Sequence, residues 1–159
     1  MVVLLLWLLW QDIDRVDGVP LRFTNRVDFD QVTGQVYFTD NSMQHKRSQH
    51  EMVTKTGDSM GCLMMYYPWT SDATTLQAEM TYPNGVALSA DRTHLVVALT
   101  GLCKMLRHWI KGVNAGTSEP FADLPCYPDN ATTEKEVIGW RCTVRRMSCP
   151  LDVIAIFSP

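Results

Sequence analysis

Between residues 82 and 124 the chain alternates short apolar runs with turn residues. Val86-Ala87-Leu88 follows Pro83-Asn84-Gly85 and ends at the polar turn Ser89-Ala90-Asp91-Arg92. A second run, His94 to Leu99, is rich in Leu and Val and is broken at Thr100-Gly101. From Lys104 to Ile110 the pattern alternates as strand side chains do. Met105, Arg107 and Trp109 share one face, and Leu106, His108 and Ile110 the other. A Gly-containing loop over residues 111–117 and a last run, Glu119 to Leu124, complete the stretch. Short strands with turn signals at about 8–12-residue spacing predict an all-β sandwich, barrel or propeller.

The unit repeats. Thr24-Asn25 precedes Val27 to Asp30 as Pro83-Asn84 precedes Val86 to Leu88. Gln35 to Asp40 matches the second strand, Gly61 to Tyr67 the third and Thr74 to Met80 the fourth. A third start stands at Pro128-Asp129-Asn130. Asn25, Asn84 and Asn130 lie 59 and 46 residues apart, and a polar insertion over residues 41–59 accounts for the longer interval. Four-stranded repeats of about 40–50 residues are the pattern of propeller blades.

Composition narrows the reading. With 46% hydrophobic and 19% charged residues the chain is globular rather than disordered. A net charge of -3, with no basic stripe interleaved with aromatics, argues against a nucleic-acid partner. The five cysteines, Cys62, Cys103, Cys126, Cys142 and Cys149, show no CxxC spacing and no paired His, so a zinc site is not expected. Cys62 and Cys103 read as buried, inert thiols in or beside strands. The disulfide state of the set stays open. Residues 1–10, MVVLLLWLLW, are apolar but too short to cross about 30 Å of hydrocarbon as a helix. They lack a basic leading region and a small-residue cleavage site. They read as a core strand or an artefactual start of the reading frame, with a degenerate signal or anchor as the alternative. Three segments result: an atypical apolar stretch over 1–18, the blades over 19–136, and a divergent tail over 137–159.

The order FTN…VYFTD…GDS-x-G…YPNGVALS…AGTSEPFA…YPDN, spread over about residues 19–130, resembles the strictosidine synthase-like family in a plant-type version. The resemblance implies a six-bladed β-propeller related to the paraoxonase, gluconolactonase and regucalcin group. Members act as amine–aldehyde condensing synthases of alkaloid biosynthesis or as ester and lactone hydrolases on small molecules. Plant members are usually secretory or vacuolar. Six blades need roughly 300 residues. The expectation for this chain is therefore a partial propeller: two antiparallel four-stranded blades plus the start of a third.

The resemblance also points to chemistry. In metal-dependent relatives, oxygen ligands at the start of the inner strands hold a divalent cation in the central channel. Asn25, Asn84, Asp129 and Asn130 occupy the matching positions, and their side-chain oxygens suit Ca²⁺. The other reading of these residues is turn chemistry leading into each strand. Arg26 stands where relatives usually carry Asp, and a cation beside a cation site is unfavourable. The family's synthase activity rests on a Glu in a late blade. Glu51, Glu134 and Glu136 match no such motif, so no catalytic residue is assigned. His45, His50, His94 and His108 are scattered, with no nucleophile elbow to join them. The sequon Asn130-Ala131-Thr132 falls on a channel position, so glycosylation is not expected there. A reading of another class is a non-enzymatic piece that binds a partner or self-associates through open blade edges.

The resemblance ends after Asn130. The family pattern continues with a strand of the type GYWVALH, whereas residues 138–150 read IGWRCTVRRMSCP. With one choice of codons, that stretch read two nucleotides later gives WVALHREKNELP. This predicts an indel or misplaced exon boundary shortly before Ile138, and an exposed β-prone end over residues 151–157. The alternative is an ordinary divergent end with a strand over residues 153–157. Sequencing the transcript across codon 138 tests the shift: a junction or indel is expected, and one uninterrupted frame would refute it.

Overall fold

The structure, a computed structural model, describes residues 13–134, 137–143 and 156–157. The expectations for residues 1–10 and for most of the tail lie outside the described residues. The chain divides into two compact units, Met1–Pro83 and Asn84–Pro159.

The first unit opens with a short hairpin, β1 (Arg15–Val16) and β2 (Val19–Pro20). A four-stranded antiparallel meander follows in chain order: β3 (Thr24–Phe29), β4 (Val36–Asp40), β5 (Gly61–Tyr67) and β6 (Asp72–Met80). Its register explains its core. Val36 lies opposite Tyr66, Phe38 opposite Met64 and Asp40 opposite Cys62. The period of two therefore stacks Val36, Phe38, Cys62, Met64 and Tyr66 in one layer, which Ile13 and Val16 join. Burying a side chain such as Phe38 or Met64 contributes about 1.5–3 kcal/mol. The β3–β4 turn is built by Asp30, whose carboxylate accepts the Val32 N–H at 2.8 Å.

The polar insertion is more ordered than its sequence suggests. A 3-10 turn, Arg47–Gln49, runs into helix α1 (His50–Thr56). Val53, 1% exposed, anchors the helix, and Gly57 ends it in the left-handed conformation (φ 66°) that favours glycine. The exposed Glu51–Lys55 pair at 2.9 Å adds little. A hydrogen bond from Ser42 to Asp58 closes the neck of the insertion. Arg47 lies over the Phe23 ring and donates to the Thr24 carbonyl at 2.6 Å.

The second unit repeats the meander. β7 (Pro83–Leu88), β8 (His94–Leu99), β9 (Lys104–Trp109) and β10 (Ser118–Asp123) are neighbours in that order. β8 has five consecutive residues, Leu95 to Leu99, buried, which is why its sequence reads as a continuous apolar run rather than an alternation. Ala87, Val96, Ala98 and Met105 form one layer with Leu124, Cys126 and Ala131. Cys126 is disulfide-bonded, while Cys62 and Cys103 are free. Burial, with the Asp40 carboxylate nearby, pushes the Cys62 thiol up to about 11, so it is inert at neutral pH.

The third repeat goes further than a first strand. β11 (Tyr127–Glu134) pairs antiparallel with β12 (Val137–Thr143), and β12 with β13 (Ile156–Phe157). The all-β expectation of antiparallel four-stranded blades is what the structure shows for the first two repeats.

His108 is the charge-bearing weak point of the second blade. It is 1% exposed, and its Nδ1 shares a hydrogen bond of 2.8 Å with Ser118 Oγ. Burial holds its pKa below the usual histidine value. A depressed histidine pKa means the unfolded chain binds the proton more tightly. The contribution of His108 is therefore complete above about pH 6.5 and is lost as pH falls below it. Asp40 acts in the opposite sense lower down, because its carboxyl is pushed up to about 6 by burial. Denaturant unfolding of the wild type and His108→Gln between pH 7.5 and 5.5 isolates the term. The stability advantage of the wild type should shrink on acidification; a pH-independent difference would refute it.

Candidate functional site

The candidate site grows from two strand starts in the second unit. Tyr82 adopts a left-handed backbone (φ 52°), uncommon for a residue with a side chain, and delivers Pro83-Asn84-Gly85 into β7. Asn84 is 6% exposed. Gly85 runs against β11: a Cβ there would lie 2.5 Å from the Ala131 nitrogen and 2.8 Å from the Asn130 carbonyl carbon. No other residue type fits without moving backbone, so the glycine permits the close approach.

β11 answers with a bulge. Its pairing with β12 slips between Pro128 and Asn130, where Asp129 sits. Bulges re-aim side chains. Here the carboxylate of Asp129 meets two amides: Asn84 Nδ2 donates to Oδ1 at 2.9 Å, and Asn130 Nδ2 donates to Oδ2 at 3.1 Å. Thr100, in the turn after β8, donates its hydroxyl to the Pro128 carbonyl and so ties down the neighbouring residue.

Three of the four expected site residues are thus assembled. Asn25 belongs to the first unit. It lies with Arg26 in an irregularity of β3 between Thr24 and Val27, and both are half-buried. The Arg26 N–H donates to Thr39 Oγ1 at 3.3 Å. Asn25 therefore holds in its strand the place that Asn84 and Asn130 hold in theirs. The alternative reading of these asparagines as turn residues does not describe Asn84 or Asn130, which lie within strands.

A divalent cation such as Ca²⁺ takes six to eight oxygen ligands, mixing carboxylates and amide carbonyls. The cluster supplies one carboxylate and two amides and carries one negative charge. The bonds to Asp129 use the amide nitrogens, and the amide oxygens are the ends that ligate metals. The donor chemistry therefore fits a hard cation, with Asp129, Asn84 and Asn130 as holders. Among the described residues no three His, Cys, Asp or Glu side chains converge on a metal position. A cation here thus depends on amide oxygens rather than on an acidic cluster.

Other candidates separate. His94 lies in β8, with its ring 5.1 Å from Trp109 and Nδ1 at 3.0 Å from Thr93 Oγ1, and His108 lies in β9. Glu51 is an exposed partner of Lys55, whose hydrogen bond holds its carboxyl below the usual range. Sequence reasoning missed Asn41, a wholly buried amide at the end of β4. Nothing in its local pattern marks it, since it reads as the first residue of a polar insertion.

Comparison with known proteins agrees with this architecture. The family model described as strictosidine synthase matches residues 25–113. Protein STRICTOSIDINE SYNTHASE-LIKE 10 of Arabidopsis thaliana is 41% identical over 118 residues, covering 74% of this chain and 32% of the relative. Among solved structures, a gluconolactonase from Xanthomonas campestris superposes with a TM-score of 0.69 at 19% identity, over 92% of this chain and 47% of that one. The calcium-binding protein regucalcin from Agrobacterium tumefaciens gives a TM-score of 0.56 at 16% identity, over 75% and 38%. At these identities the structural likeness shows the fold, a partial six-bladed β-propeller. The chain spans about a third of the length of the curated relatives it matches. On the matched family model and this identity, the chain belongs to the strictosidine synthase family.

Proposed function

We propose that this chain carries part of the cation-holding channel of an ester- or lactone-hydrolysing propeller, rather than the amine-binding part of a condensing synthase. The carrying observation is the buried cluster of Asn84, Asp129 and Asn130, in which two amides from successive inner strands bracket one carboxylate. A condensing synthase depends on a late-blade Glu and has no need of such a cluster. The likeness to a gluconolactonase and to a calcium-binding regucalcin supports the reading. Asn25 is assigned by its matching place in β3.

A bound divalent cation would polarise the carbonyl oxygen of an ester or lactone as a Lewis acid. The residues of this chain hold and orient. Asp129 supplies the charge, and the bulge in β11 fixes its direction. Asn84 and Asn130 keep it in place by hydrogen bonding. No general base is assigned within this chain, so the cluster is one part of a catalytic site rather than the whole of one.

Thermal unfolding with added Ca²⁺ tests the proposal. A ligand that binds only the folded state at about 100 times its Kd stabilises by about 2.7 kcal/mol. Millimolar Ca²⁺ should raise Tm, EDTA should reverse the rise, and Asp129→Ala and Asn84→Ala should abolish it. No shift in the wild type, or an undiminished shift in both variants, would refute the assignment.

A further inference from the structure

The end of β4 runs into four consecutive polar residues, Thr39, Asp40, Asn41 and Ser42, none more than 1% exposed. Buried polar groups are hydrogen-bonded as a rule. Three of the four obey it. The Asp40 carboxylate accepts the Arg22 N–H at 3.0 Å and the Phe23 N–H at 2.6 Å, and also the backbone N–H groups of Asn41 and Ser42. Ser42 Oγ donates to Asp58 and accepts the N–H groups of Gln44 and His45 at 3.0 and 2.8 Å. Thr39 Oγ1 accepts from Arg26.

Asn41 breaks the rule. Its backbone N–H is placed on the Phe23 carbonyl at 3.0 Å. Its side chain is 0% exposed, and among the described residues neither Nδ2 nor Oδ1 has a hydrogen-bond partner. An amide left so lowers stability, and an aliphatic side chain of the same size would be better tolerated there.

An internal water is the ordinary remedy, but a buried water typically makes about three hydrogen bonds. The adjacent groups have little left to offer it. A carboxylate has about four lone-pair sites, and Asp40 already meets four N–H groups. A hydroxyl donates once and accepts twice, and Ser42 does all three. The unspent capacity at this point of the fold belongs to Asn41.

We infer that Asn41 is a recognition amide, taking a ligand group that presents a hydrogen-bond acceptor and donor side by side, namely a carboxamide, a lactam or a protonated carboxylic acid. Its place suits this use. Asn41 is the first residue of the insertion that carries α1, and a few bonds hold that insertion to the blade. They are the Ser42–Asp58 bond at its neck and the Arg47 bond to the Thr24 carbonyl. Movement of the insertion gives a small ligand its way in. Asn41 is a site separate from the proposed cation cluster, and the inference does not rest on that reading.

The test uses the whole chain with EDTA present, so that a failure of the cation proposal does not enter. Acetamide is the probe, and acetone, of the same size but without a donor, is the control. Small probes bind weakly, so both are applied at roughly 100 mM. Acetamide should raise the Tm of the wild type and acetone should not. Asn41→Leu should raise the Tm of the ligand-free chain by roughly 2–6 °C, because it removes an unpaired buried amide, and should lose the response to acetamide. Equal responses to acetamide and acetone in the wild type would overturn the inference, whatever the variant does. So would a lower Tm in Asn41→Leu, which would show that an internal water already pairs the amide.

Discussion

The second unit depends on one close approach. β11 crosses β7 so tightly at Gly85 that a single methyl group would strike the backbone of Asn130 and Ala131. That contact places Asn84 within hydrogen-bonding reach of Asp129. It also explains the bulge at Asp129, since an unbulged strand would turn that carboxylate to the other face. Ala131, on the same segment, drops into the layer formed by Ala87, Val96, Ala98 and Met105. The small side chains of that layer and the glycine belong to one packing solution. Backbone proximity is achieved by removing side-chain volume, and the polar cluster follows from it.

A second theme is how the fold treats buried polarity at strand ends. Asn84 is answered by Asp129, Ser42 by Asp58 and His108 by Ser118. Asp40 is answered by four backbone N–H groups, yet burial still outweighs them and raises its carboxyl to about 6. These groups fasten loops to strands: Asp40 holds residues 22 and 23 against the end of β4, and Ser42 closes the neck of the insertion. Each is costly to bury and is stabilising only because its partner is in place. Asn41 stands out against this background because the same accounting leaves it short.

Much of this was legible in the sequence. The strands His94–Leu99 and Gly61–Tyr67 fall where the apolar runs predict them. Turn residues such as Asp30 and Gly34 mark their boundaries for a local physical reason. The site residues were legible through recurrence: an Asn before each inner strand is visible as a repeat. What escaped notice depends on distant parts of the chain. The helix at residues 50–56 has only Val53 as an apolar anchor, too little for a periodic signal. The pairing of β12 with β11 lies beyond the point where the family pattern stops. The isolation of Asn41 is set by what Asp40 and Ser42 already bind, which no local window contains.

The central claim is that the β7–β11 approach, rather than the identity of the polar residues alone, builds the cluster. Gly85→Ala tests it most directly, because it leaves Asn84, Asp129 and Asn130 untouched while forcing the strands apart. The measurement is the Ca²⁺-induced change in Tm of Gly85→Ala beside the wild type, with circular dichroism confirming that the variant is folded. The account predicts a folded variant that has lost the Ca²⁺ response. A folded variant that keeps the full wild-type response would contradict it.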